Sequence, residues 1–120
     1  MGVRFLGKET QGGDSPTLYA TDRSTYLVQG WKVPDQPATV VEIPETLLRH
    51  LLPGTELAAP LQATGRRWRG DNGECATYTL TGAEVTDLGI SEQLAVPAHE
   101  GCIEVGQRRK DHQGAPAARP

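Results

Sequence analysis

The residues best suited to gripping a ligand lie in one run, Arg66-Arg67-Trp68-Arg69. Three guanidiniums around an indole offer charge and a stacking face, the chemistry that holds an anionic small molecule or a nucleotide. On a strand, Arg67 and Arg69 point one way and Arg66 and Trp68 the other. The plainer alternative is a solvated edge strand with Trp68 packed inward. Trp31 is the second indole. With only six aromatic residues in the chain, Trp31, Tyr19 and Tyr26 are expected in the core, and any exposed one becomes an interface anchor. The candidate contacts are therefore Arg66, Arg67, Trp68, Arg69 and Trp31.

The other reactive residues form no constellation. His50 falls beside a leucine stripe as a cap or surface residue, His99 in a loop and His112 near the C-terminus. No HExxH pair occurs, and Ser15, Ser24 and Ser91 lie outside any GxSxG. Cys75 and Cys102 show neither CxxC nor zinc spacing. In a reducing cytosol they read as small buried hydrophobes; the sharper alternative is a disulfide worth ~3 kcal/mol. A nucleophile built from either cysteine and His99 is the weakest reading. Gly70-Asp71-Asn72-Gly73 lacks the lysine of a phosphate loop and the spaced carboxylates of a calcium loop, so it reads as a hairpin turn. Gly12-Gly13-Asp14 reads as a flexible loop. No catalytic residue, metal or cofactor is expected.

The elements that must position these residues are short. Fourteen glycines and nine prolines in 120 residues are well above average and predict a small, loop-rich domain. Val3–Leu6 reads as an edge strand, Gly7–Pro16 as a loop and Thr17–Ala20 as a strand, followed by a turn at Thr21–Arg23. Ser24–Val33 is the best strand. Leu27, Trp31 and Val33 share one face and Tyr26, Val28 and Gly30 the other, which predicts a central position. Gly30 marks a bulge or a close approach. Thr39–Ile43 is β-branched and reads as a strand. Pro44–Leu52 is expected as a helix, with Leu47, Leu48, Leu51 and Leu52 in one stripe that must dock on a sheet. Gly65–Arg69 and Cys75–Thr81 flank the Asn-Gly turn. Ala83–Val85 extends the sheet, Thr86–Ala95 holds a short helical turn capped by Ser91 or Asp87, and Cys102–Val105 is the last strand.

The two halves look alike. Thr25–Asp35 aligns without gaps on Thr77–Asp87, with five identities in eleven positions, and Val41-Glu42-Ile43 matches Ile103-Glu104-Val105. The expected fold is α+β, mainly antiparallel β, with two similar β units (about 17–52 and 66–106) sharing one core and one short helix. Residues 1–106 would form a single compact domain and 107–120 a disordered basic tail. A homodimer would cover the sheet region that lacks a second leucine helix.

Ser15–Val33, SPTLYATDRSTYLVQGWKV, resembles the start of a set of small uncharacterised actinobacterial proteins of the kind encoded beside helix-turn-helix regulators. The likeness is best over Arg4–Leu52, and GECATYTLTGAEVTD with CIEVG resembles a divergent second copy. It brings no activity and no catalytic residue. It implies a regulatory neighbourhood with a helix-turn-helix protein as partner.

Charge narrows the partners. Gln107–Pro120 carries four cations against one acid, which leaves the preceding 106 residues at −6 in a chain of net charge −3. An acidic body repels phosphate backbones, so nucleic-acid binding through it is not expected. No apolar run is long enough for a membrane span, no secretory leader is evident, and Leu6 departs from the myristoylation pattern after Gly2. The expectation is a small cytoplasmic, non-catalytic interaction module that binds a regulator or itself. The alternative is an anionic ligand or nucleic acid held at Arg66–Arg69, and an enzyme ranks last.

Overall fold

The computed structural model describes residues 2–9, 16–71, 73–94 and 96–110. The Gly12-Gly13-Asp14 loop, His112 and the tail from 111 onward lie outside them. The chain runs β1 (Val3–Lys8), β2 (Thr17–Thr21), β3 (Thr25–Lys32), β4 (Val40–Pro44), a 3₁₀ helix (Glu45–His50), β5 (Thr55–Leu57), β6 (Gln62–Gly70), β7 (Gly73–Thr81), β8 (Ala83–Glu84), α1 (Leu88–Leu94) and β9 (Glu100–Arg109). Every strand pairing is antiparallel. The protein is thus mostly antiparallel β, with little helix.

β3 has neighbours on both edges, and apolar clusters cover both its faces, with Tyr26 and Val28 in one and Leu27 in the other. One edge carries β2 along Tyr26–Gln29 and then β4 at Trp31 and Lys32; the other carries β9 from Thr25 to Trp31. β4 pairs with β7 from Val40↔Thr81 to Pro44↔Thr77, and β8 pairs with β9 at Ala83↔Glu104 and Glu84↔Ile103. Only Gly82 separates β7 from β8, so the pairings β3–β4–β7/β8–β9–β3 close on themselves. Closure leaves no free edge within that ring, while β2 and β6 extend the sheet outside it.

The inward side chains fill the ring. Leu18, Tyr26, Val28, Val41, Ile43, Leu47, Leu80, Ile103 and Val105 form one core. Leu27, on the opposite face of β3, joins Ile90 of α1 and Cys102 in a second, smaller cluster. Asp87 caps α1, its Oδ1 accepting from the Ile90 amide at 3.2 Å. Gly30 marks a close approach: a Cβ there would lie 2.6 Å from the Glu42 carbonyl oxygen. Gly82 meets the Glu104 carbonyl oxygen in the same way, at 2.7 Å.

Two expectations need correction. The helix expected over Pro44–Leu52 is a 3₁₀ helix confined to Glu45–His50, and Pro44 ends β4 with extended backbone (ψ 150°). No side chain caps it, and the Leu51 amide donates to the Leu48 carbonyl three residues back. So short a segment gains little from α-helical bonding, and docking decides its shape. The leucines do dock: Leu47 is buried, and Leu48, Leu51 and Leu52 pack against the main core. Second, Gln107–Arg109 belong to β9 rather than to the tail. They pair with β5 through Leu57↔Gln107 and Thr55↔Arg109. Ladder bonds need only a partner backbone, so the lack of apolar side chains did not end the strand. Among the described residues, no helix is long and apolar enough to cross a membrane.

Candidate interaction surface

β6 and β7 form a long hairpin whose register runs from Arg67↔Ala76 through Trp68↔Cys75 and Arg69↔Glu74 to Gly70↔Gly73. Gly73 takes φ +103°, the left-handed backbone that the Asn-Gly signal anticipates. At the base of the hairpin the register slips between Ala63 and Arg67, and Gly65 sits at φ +81°. Trp68, opposite Cys75, lies on the sheet face that carries Trp31, and the slip sets it two residues nearer the base of the hairpin.

The two indoles meet with centroids 5.4 Å apart and planes tilted by 54°. Trp68 also packs against Gly70, where a Cβ would come within 2.1 Å of its ring. Around them is a shallow cleft of about 310 Å³ lined by Trp31, Glu42, Arg66, Arg67, Trp68 and Thr77. Both rings are half-buried, since each is covered by the other and open to the cleft.

The three guanidiniums do not converge on empty space. Arg66 grips Glu42 with two bonds, Nη2 to Oε1 at 2.6 Å and Nε to Oε2 at 3.1 Å. Thr77 Oγ1 donates to Glu42 Oε2 at 2.6 Å. Burial pushes the Glu42 carboxyl up, but the hydrogen bonds from Arg66 and Thr77 and the Arg66 charge outweigh it and hold it below its ordinary value. The Arg66 guanidinium is in turn held more firmly protonated by that bond and charge. Arg67 and Arg69 share one carboxylate, Glu74, at 3.3 and 3.6 Å.

A second set of the same residue types lies at β9. Arg23 Nη2 donates to both Glu104 oxygens at 2.8 and 3.1 Å, and Thr25 Oγ1 donates to Oε2 at 2.6 Å. Thr21 shares a hydroxyl bond with Thr25 and accepts from the Arg23 amide, as Thr64 does with Thr77 and the Arg66 amide.

Sequence reasoning found the arginines and both tryptophans but missed Glu42, Glu74, Thr64 and Thr77. Glu74 was not placed, because a tight turn at Asn72-Gly73 would set it opposite Asp71, whereas the register sets it opposite Arg69. Glu42 carried no local signal. Tyr26 lies in the core, whereas Tyr19 is only half-buried and packs edge-on against the exposed Phe5 at 6.1 Å.

The remaining candidates are dispersed. His50 Nε2 pairs with the buried Glu9 at 2.8 Å, a contact the sequence did not suggest. His99 is exposed, 3.8 Å from Glu100. Both cysteines are buried and free. Cys75 lies 3.8 Å from Thr46, while burial first, and Glu104 second, push the Cys102 thiol up to about 12. A thiol that stays protonated at neutral pH is a poor nucleophile. Among the described residues, no group of three or more His, Cys, Asp or Glu side chains is placed to hold a metal. Comparison with protein-family models, with curated proteins and with solved structures finds no match.

Proposed function

We propose that this chain is a small, non-catalytic cytoplasmic interaction module built from two similar β units around one core. Its docking surface is the Trp31–Trp68 pair at the base of the β6–β7 hairpin. The partner is a protein, and the helix-turn-helix regulator implied by the resemblance is the first candidate.

Support for two units comes from register. Shifting Thr25–Asp35 onto Thr77–Asp87, and Val41–Ile43 onto Ile103–Val105, turns Trp31↔Glu42 into Ala83↔Glu104 and Tyr26↔Val105 into Tyr78↔Ile43. The same shift carries Gly30 onto Gly82. Leu18-Tyr19-Ala20-Thr21-Asp22-Arg23 then corresponds to Leu61-Gln62-Ala63-Thr64-Gly65-Arg66, so the Thr–Arg–Thr–Glu clusters coincide as well.

That correspondence carries the functional reading. Between its arginine and threonine the first unit has Ser24 alone, where the second has the ten residues Arg67–Ala76. The ring does not need them, since the first unit completes the same cluster without them. The insertion nevertheless brings Trp68 onto Trp31 and adds two arginines, the residue types enriched where binding energy concentrates. Free, buried cysteines fit a reducing compartment. The anionic-ligand reading is less favoured, because the cleft itself carries the Glu42 carboxylate and Arg66 is committed to it.

The test replaces Arg67–Ala76 by one serine and, separately, both tryptophans by alanine. Each variant is co-expressed with a helix-turn-helix regulator of the kind that the resemblance implies. Wild type is expected to co-elute with the regulator, and both variants to fold yet elute alone. A regulator that ignores wild type, or that stays with the hairpin-less chain, overturns the reading.

A further inference from the structure

β6 is bonded on one side only: among the described residues its sole strand partner is β7. In an antiparallel pair joined by a two-residue turn, Gly70↔Gly73 and Trp68↔Cys75 exchange the ladder bonds. The backbone N–H and C=O of Arg67 and Arg69 therefore aim outward. Such an edge is a ready template for another strand. Resting on the reading that this hairpin is the docking element, we propose that the outer edge of β6 at Arg67–Arg69 receives an extended acidic segment of the partner as an added strand.

Charge and spacing select that occupant. The Arg67 and Arg69 side chains are 59% and 76% exposed and share one carboxylate, so an incoming acid meets guanidiniums still open to solvent. They stand two residues apart on one face, and acids at alternate positions of an added strand would repeat at the same pitch. The intervening partner side chain would fall on the Trp68 face and extend the aromatic surface. A second copy of β6 is disfavoured, because it would set arginines against arginines. Single-stranded nucleic acid offers no peptide backbone to complete the edge, and the Trp68 ring it would stack on is already covered by Trp31.

The probe is a capped hexapeptide with glutamates at alternate positions and valines between them, titrated while the amide resonances of the full chain are followed. Its twin carries lysine for glutamate, and a short oligothymidylate serves as the nucleic-acid arm. Saturable shifts centred on Arg67 and Arg69 with the glutamate peptide are expected. R67E/R69E should weaken that binding at least about tenfold and gain the lysine peptide instead. Equal response to both peptides, no saturable shift, or stronger shifts with oligothymidylate would sink the inference. If the regulator still depends on Trp31 and Trp68 while the glutamate peptide fails, the edge inference falls alone. If the peptide binds β6 but the tryptophan variants keep the regulator, the Trp reading falls and the edge stands.

Discussion

Trp31 and Trp68 meet at 5.4 Å although their strands are not neighbours, with β4 and β7 lying between β3 and β6 in the sheet order. The pairings Trp31↔Glu42, Glu42↔Thr79 and Trp68↔Cys75 put both rings on one sheet face, and the shift at the base of the hairpin moves Trp68 two residues nearer. Their contact should therefore show as coupling. In a double-mutant cycle, Trp31→Ala and Trp68→Ala are expected to couple by about 0.5–1.5 kcal/mol in urea unfolding. Strict additivity would mean that the rings do not meet in solution.

Gly30→Ala and Gly82→Ala should each destabilise by at least about 2 kcal/mol, because the added methyl meets a backbone oxygen that cannot step aside. Gly54 at φ +75°, with nothing within 4 Å of an added Cβ, should lose only about 1 kcal/mol from backbone strain. Thermal melts of the three variants give the ranking. A harmless Gly82→Ala would undo the two-unit reading, which makes the glycines equivalent.

The Tyr26 hydroxyl is the acceptor for the Leu52 amide at 2.8 Å and also bonds to Thr55 Oγ1. Tyr26→Phe keeps the packing and strands that amide. A loss of about 1–3 kcal/mol is expected, read by denaturant unfolding, with amide exchange faster at Leu52 than at Val28.

Glu42 should shape the acid limb of stability. Its folded value lies below the ordinary 4.5, so its contribution is complete above 4.5 and disappears as pH falls through the folded value. Glu42→Gln should lower stability at neutral pH and flatten the decline below 4.5. An unchanged acid limb in urea titrations would disprove that role.

Cys102 works in the opposite direction. Its thiol is raised from 9.0 to about 12, so the unfolded chain ionises first and stability should fall as pH rises from 9 towards 12. Tyr19, raised chiefly by burial and then by the charge of Cys102, adds to the same decline. Cys102→Ala should remove part of the slope. In the native protein at pH 8, Cys102 should resist iodoacetamide, whereas both cysteines should react after unfolding.

The strands with two apolar faces or β-branched runs were legible, because alternation is a local property: β3, β4 and the hairpin about Asn-Gly fall where the pattern put them. β5 was not legible, since three residues carry no period and only their pairing with Gln107–Arg109 makes them a strand. The 3₁₀ helix was legible as a docked leucine stripe but not in its bonding. Glu9 against His50 left no trace in the sequence, because the partners are far apart along the chain.

By itself the sequence determined which segments are extended, which faces are greasy and where the sharpest turn falls, since these follow from the order of side chains over a few residues. It also set the look-alike halves and the run of arginines about Trp68. Only the tertiary structure decided that β3 takes β9 on one edge, that the ring closes over Gly30 and Gly82, and that Glu42 occupies Arg66. Those outcomes depend on the register between strands distant in sequence, and register follows from the shared filling of one core.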